Sequence, residues 1–250
     1  GLKIYPQYYL FLGMSYFFTE YMMVGKPSSD AFVSEALFLT NYHLEAWGHT
    51  WTLALEEHFY LLLPMFVWSI CKGGSFQRIH IWMMMLMMMI FILRLMNVLY
   101  ENSDGALEKS HYRMDSLLFG CLIAFVKYRY PDFQKVVEKY RIMLLIFSIG
   151  SLSHLWLWEQ SSAFMLSAGL TLSYFGFGSL LLFSSTIHFR KNLIVSVLVC
   201  IGQGSYGIYL WHMPMLNFLR NTLCLHYKFS SGQMLLLYMG ASIAFGVVLS

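Results

Sequence analysis

The sequence predicts an all-α fold, a polytopic bundle of transmembrane helices, on three observations. Hydrophobic residues fill 58% of the 250 positions and charged residues only 12%, against roughly 25% charged in soluble domains. Aromatics reach 18%, with 18 Met, and the mean hydropathy is +0.57. A soluble fold of this size has too little polar cover for so much apolar surface. The same numbers exclude a disordered chain, a nucleic-acid-binding domain and an ordinary soluble enzyme.

Eight apolar stretches are long enough, or nearly so, to cross a bilayer at roughly 20 residues each. They are 4–24, 51–71, 79–99, 114–128, 142–158, 163–187, 204–224 and 233–250. A further apolar piece, 193–201, is too short to span alone and reads as re-entrant or as an extension of the helix after it. The chain opens inside one apolar run and stops inside another, so residues 1–250 read as a single membrane domain cut from a longer protein.

The net charge of +3 implies no anionic partner by itself, so the position of each charge matters more. With the N-terminus cytoplasmic, ten Lys and Arg fall on that side: Lys3, Lys72, Arg78, Lys127, Arg129, Lys135, Lys139, Arg141, Arg190 and Lys191. Five fall opposite: Lys26, Lys109, Arg113, Arg220 and Lys228. This bias predicts both ends in the cytoplasm. The opposite side collects the carboxylates Asp30, Glu35, Glu45, Glu101, Asp104, Glu108 and Glu159. The basic segment 129–141 reads as an interfacial loop, or as a site for an anionic cytoplasmic substrate. Cys71, Cys121, Cys200 and Cys224 are scattered, with neither a disulfide framework nor zinc spacing, and read as buried thiols.

Ionisable groups inside spans are costly and therefore mark candidate sites. His49-Thr-Trp51-Thr-Leu-Ala-Leu-Glu56-Glu57-His58-Phe-Tyr60 opens an otherwise apolar helix with two carboxylates and two histidines. At 100° per residue His49, Glu56 and Tyr60 would share one face. A carboxylate beside an imidazole suits proton transfer to or from a hydroxyl. Solvated glutamates stabilising a helix N-terminus are the competing reading.

Ser205-Tyr206-Gly-Ile-Tyr209-Leu-Trp-His212-Met-Pro214 places Ser205, Tyr209 and His212 on one face, with a kink expected near His212 from Pro214. A histidine bonded between packed helices is the alternative. In His111-Tyr112-Arg113-Met-Asp115, Asp115 suits a helix N-cap beside Arg113. Arg94, near the end of the third span, reads as snorkelling to the interface. Gly202-Gln-Gly204-Ser-Tyr-Gly207 matches G-x-G-x-x-G, but without the strand and acidic residue of a dinucleotide site. The run Met83-Met84-Met85-Leu86-Met87-Met88-Met89 samples every helix face, which suits lipid contact and packing rather than a metal stripe. No H-E-x-x-H, G-x-S-x-G or P-loop occurs, and no metal site is expected.

Four of these motifs together resemble the membrane acyltransferase-3 family. His49-Thr-Trp51 through Glu56-Glu57-His58-Phe59-Tyr60-Leu resembles its W-S-L-x-x-E-E-Q-F-Y-L segment. Arg113-Met-Asp115-Ser-Leu-Leu-Phe-Gly120 resembles R-x-D-x-L-x-x-G. Gly202 to Pro214 is similar to G-x-x-S-Y-x-x-Y-L-x-H-x-P, and Leu2-Lys3-Ile4-Tyr5-Pro6 to the end of R-x-x-R-I-Y-P. The motifs stand in family order and cover essentially the whole chain.

The resemblance implies about ten spans, of which eight are present. It implies acyl-CoA, with acetyl-CoA foremost, as a cytoplasmic co-substrate rather than a tightly bound cofactor. It also implies transfer of an acetyl or other short acyl group to a hydroxyl of a sugar or cell-envelope glycan, free or lipid-linked. The location it implies is the cell membrane, the inner one in a Gram-negative cell. The family's active-site histidine and arginine lie on first spans that this sequence does not include, so no residue here takes their role. Its E-x-P after the last span is likewise beyond the sequence. Lys3 stands where an arginine is expected, His58 for the usual Gln, and Thr52 for Ser.

On this basis Glu56, Glu57 and His212 are the candidate catalytic residues, and Lys3 the acyl-CoA contact. His49, Trp51, Tyr60, Arg113, Asp115, Ser205, Tyr206 and Tyr209 are candidates for acceptor binding or the cavity wall. A transporter or flippase for a polar lipid-linked sugar, and a non-catalytic membrane scaffold, are the rival readings.

Overall fold

Helix follows from composition here, since backbone groups out of water must bond within their own segment. The computed structural model describes residues 4–23, 27–72, 78–101, 108–187, 190, 192–222 and 231–248, all helix or connection, with no strand among them. The chain divides into two compact units, residues 1–51 with 189–250, and residues 52–188.

The first unit contains α1 (Tyr5–Phe17), α2 (Thr19–Met22) and α3 (Ser29–Ala36). From its C-terminal part come α11 (Leu193–Gln203), α12 (Ser205–Thr222) and α13 (Ser231–Val248). Pro6 opens α1, where its missing N–H costs nothing. Ser28 caps α3 by accepting the Ala31 N–H at 3.2 Å, and Asn192 caps α11 through the Val195 N–H at 2.8 Å.

Phe11 packs against Trp47 and Trp211, with ring centroids 5.5 and 5.4 Å away, and Trp211 meets Phe245 at 5.2 Å. Helices α12 and α13 touch through glycines. A Cβ at Gly207 would lie 2.3 Å from the Gly246 carbonyl oxygen, and one at Gly246 would lie 2.4 Å from the Ile208 Cα. Only glycine permits that approach.

The second unit holds most of α4 (Trp51–Lys72), then α5 (Ile79–Met96), extended by a π-helical turn at Asn97–Glu101. It continues through α6 (Ser110–Arg129), α7 (Phe133–Lys139), α8 (Arg141–Leu152), α9 (His154–Leu157) and α10 (Leu170–Ser184). Its core is Phe59, Ile79, Met83, Met87, Ile90 and Leu118. On α5 the buried positions are Ile79, Met83, Met87, Ile90 and Arg94, one stripe at helical spacing, while Met84, Met85, Met88 and Met89 are exposed. The methionine run thus divides between packing and an outward apolar face. Gly176 lets α10 lie close against α8, where a Cβ would sit 2.7 Å from Leu152 Cγ.

Eight spans are not what the described residues show. Three helical stretches are long and apolar enough to cross a membrane: Trp51–Ile70, Ile79–Tyr100 and Met165–Ser184. Two bent pairs raise this to five if each counts as one span: Phe133–Lys139 with Arg141–Leu157, bent by 73°, and Leu193–Gln203 with Ser205–Thr222, bent by 71°. The stretch at 4–24 falls short because α1 stops at Phe18, whose φ of −111° and ψ of 32° leave the helical region. The stretch at 114–128 is helical, but α6 carries Arg113, Asp115, Lys127 and Arg129. α13 is apolar but short. Cys121 is half-buried and Cys200 is exposed on α11, so Cys200 is no packed core thiol; Cys224 lies outside the described residues.

Candidate functional site

In the first unit the site begins with a turn. α3 ends in a 6→1 bond from the Leu39 N–H to the Ser34 carbonyl (2.8 Å) and a bond from the Phe38 N–H to the Glu35 carbonyl (2.9 Å). This closure needs a left-handed residue, usually glycine. Phe38 takes it with φ 56°, at a cost of about 1–2 kcal/mol, and stacks on Tyr8 at 4.8 Å with the rings 19° apart. The turn sends residues 39–50 back over Glu35.

Glu35 is fully buried. Its Oε1 accepts the backbone N–H of Ala46 (3.1 Å) and of Trp47 (2.9 Å) and lies 2.9 Å from the Thr50 hydroxyl. The Tyr8 hydroxyl stands 3.1 Å from Oε2. Burial pushes the Glu35 carboxyl up from its ordinary value, and these donors partly offset that push. One side chain therefore staples the loop that ends in His49.

His49 and His212 come together, with ring centroids 4.9 Å apart at 75°. The His49 Nε2 lies 3.3 Å from the Leu210 carbonyl oxygen. A carbonyl only accepts, so Nε2 carries the proton and the lone pair sits on Nδ1. That Nδ1 is buried and has no hydrogen-bond partner. The His212 Nδ1 donates to the Tyr209 carbonyl, which leaves the His212 lone pair on Nε2. The Tyr209 hydroxyl donates to the His49 carbonyl, closing the cluster. Burial, and then the neighbouring His212, push His49 down to about 4. The arrangement is two imidazoles whose tautomers are set by main-chain carbonyls, each with an acceptor nitrogen.

His49 does not share a helical face with Glu56, as the sequence spacing implied, because α4 begins only at Trp51. α12 runs unbroken through Pro214, and the sharp change of direction comes at Gly204, between α11 and α12. At Gly204 the backbone leaves the helical region (φ −84°, ψ 5°), while Pro214 is accommodated within α12. Tyr206 donates to the Ile4 carbonyl at 3.3 Å, and Ser205 is exposed at the start of α12. Trp51 is half-buried. Lys3 lies outside the described residues.

The second unit holds the other candidates. Glu56, Glu57 and His58 are half-buried on α4, and Tyr60 is exposed. The His58 Nδ1 lies 2.8 Å from the buried Ser110 hydroxyl, so this histidine ties α4 to the start of α6.

Arg94 does not snorkel. It is fully buried, and its Nη2 pairs with Asp115 Oδ2 at 2.9 Å. Its Nη1 donates to the Tyr112 carbonyl at 2.8 Å and its Nη2 to the Thr171 hydroxyl. Asp115 is no N-cap, since α6 starts at Ser110 behind Lys109; its role is to balance Arg94. Arg113 stands on the same cavity wall as this pair.

Sequence reasoning missed Glu35, counted only as a loop carboxylate, and the pairing of Arg94. The rule that a charge inside a span needs a partner could have flagged Arg94. No local signal marks Glu35.

A family model described as an acyltransferase domain matches residues 2–250. Among curated proteins, the O-acetyltransferase OatA of Staphylococcus aureus strain NCTC 8325 is 26% identical over 207 residues. That match covers 74% of this chain and 32% of OatA, and OatA of strain COL matches equally. The chain thus spans about a third of the length of these relatives. No solved structure matches.

Proposed function

Because the chain belongs to the acyltransferase-3 family, we propose that it transfers an acetyl or other short acyl group from acyl-CoA to a hydroxyl of a sugar or cell-envelope glycan. The observation that carries this reading is the His49–His212 pair, with its unpartnered Nδ1 lone pair on His49. The name of OatA, an O-acetyltransferase, supports the choice of acyl group and of a hydroxyl acceptor.

In the proposed reaction an imidazole lone pair takes the acceptor hydroxyl proton as the oxygen attacks the thioester carbonyl. A C–O bond forms, the C–S bond breaks, and the imidazolium returns its proton to the departing CoA thiolate. His212 acts on the substrate in this scheme and His49 shares or relays the proton. Lys3 holds CoA phosphates. Tyr206 and Tyr209 hold the backbone around the pair. The protein sits in the cell membrane with its basic loops cytoplasmic.

The test is the full-length protein in lipid nanodiscs, supplied with acetyl-CoA and envelope glycans. Free CoA thiol and acetylated glycan are measured together. The expected result is coupled appearance of both, reduced about 100-fold or more in His212→Gln. Glycolipid movement without thioester cleavage would overturn the reading in favour of transport.

A further inference from the structure

A second feature belongs to the 52–188 unit alone. Between α6 and α10 runs a cavity of about 520 Å³. One end is walled by Arg94, Arg113 and Asp115. The rest is a mostly apolar trough that includes Phe119, Gly120, Ile123, Phe177, Gly178 and Leu181. Of these, Gly120, Phe177 and Leu181 are exposed, so the trough opens along an apolar flank of a helix long enough to span a membrane.

We propose that this groove binds a membrane lipid through its phosphate, with the head against the Arg113 and Arg94–Asp115 wall and a tail in the trough. The wall offers the half-buried Arg113 guanidinium, with the fully buried Arg94–Asp115 pair behind it. Arg94 is fully buried and its Nε has no hydrogen-bond partner, although both terminal nitrogens are engaged. In a low-dielectric groove such a wall favours an anion, and guanidinium forks match phosphate oxygens. Asp115 does not repel the phosphate strongly, because its charge is held by Arg94 at 2.9 Å.

The two glycines make the trough. A Cβ at Gly178 would strike Phe119 Cε1 at 2.4 Å, so α10 closes its inner edge there. A Cβ at Gly120 would meet nothing within 4 Å, which is the open width that a lipid tail fills. Basic pockets between spanning helices recur as sites for anionic lipid heads. A cavity of about 560 Å³ between α4, α5 and α6 supplies an internal comparison, since Phe59, Leu63, Phe66 and Ile90 line it and no arginine or lysine does.

The experiment uses the full-length protein in detergent with a photoreactive phosphatidylglycerol, diazirine in the tail, and maps the labelled peptides by mass spectrometry. Label is expected on 117–123 and 174–181, above that on the walls of the apolar cavity. Unlabelled phosphatidylglycerol should displace it and diacylglycerol should not. Arg113→Gln and Gly120→Leu should each cut it about tenfold, the effect of one lost charge-assisted contact or a filled seat. Gly120→Leu adds volume to open space, so it keeps the test alive if Arg113→Gln fails to fold. Equal labelling of all helices, equal competition by diacylglycerol, or no change in Gly120→Leu would overturn the proposal. Displacement by millimolar inorganic phosphate alone would overturn the lipid in favour of a soluble anion. Crosslinks from the trough to another segment of the same chain would overturn it in favour of a protein occupant.

Discussion

The Glu35 carboxylate accepts the Trp47 backbone N–H at 2.9 Å, across a chain separation of 12 residues. The same oxygen takes the Ala46 N–H and faces the Thr50 hydroxyl. Glu35→Ala leaves the buried Trp47 N–H without this acceptor, at about 1–3 kcal/mol, and the part-buried Ala46 N–H as well. Glu35→Gln keeps a carbonyl oxygen for them and loses less. Thermal unfolding in detergent should therefore rank wild type above Glu35→Gln, and Glu35→Gln well above Glu35→Ala.

His49 carries a pH signature. Its pKa falls from an ordinary value near 6.5 to about 4 on folding. The unfolded chain then binds more protons than the folded one between those values, so stability falls as pH drops from about 6.5 towards 4. His49→Gln should flatten this part of the stability curve. In the proposed reaction, His49 stays neutral down to about pH 4, so an acid limb near pH 6.5 would show that His49 is not the group whose titration limits the rate.

The Arg94–Asp115 pair gives a contrast of single and double variants. Asp115→Ala strands a fully buried guanidinium and should cost about 3–5 kcal/mol. Arg94→Met with Asp115→Leu removes both charges and should recover most of that loss. Equal instability of the single and double variants, read from melting temperature, would count against pairing as the role of Asp115.

Glycine substitutions separate close approach from open space. Gly207→Ala and Gly246→Ala force a Cβ into backbone 2.3 and 2.4 Å away, and should separate α12 from α13 and lower yield of folded protein. Gly240→Ala meets nothing within 4 Å and, on a helix, should be neutral or stabilising.

Composition was enough to read helices, but not the buried face of α5: the methionine run covers every face, and only packing selects Met83, Met87 and Ile90. The span count was not legible, because apolar runs do not reveal breaks such as those at Phe18 and Gly204. His49 was misplaced for a related reason: a helical wheel extended back through Thr50 cannot show that α4 starts at Trp51.

Apolar content predicted membrane-length helices, and the four motifs placed this chain in its family, because both are properties of local composition and short spacing. The partners of its charges were settled elsewhere. Glu35 reaches residues 46, 47 and 50, and Arg94 reaches 112, 115 and 171. A buried charge must find donors or a counter-ion wherever the fold brings them, and those lie 11 to 77 residues away in the chain for Glu35 with Ala46 and Arg94 with Thr171. No periodicity reports such pairings; packing does.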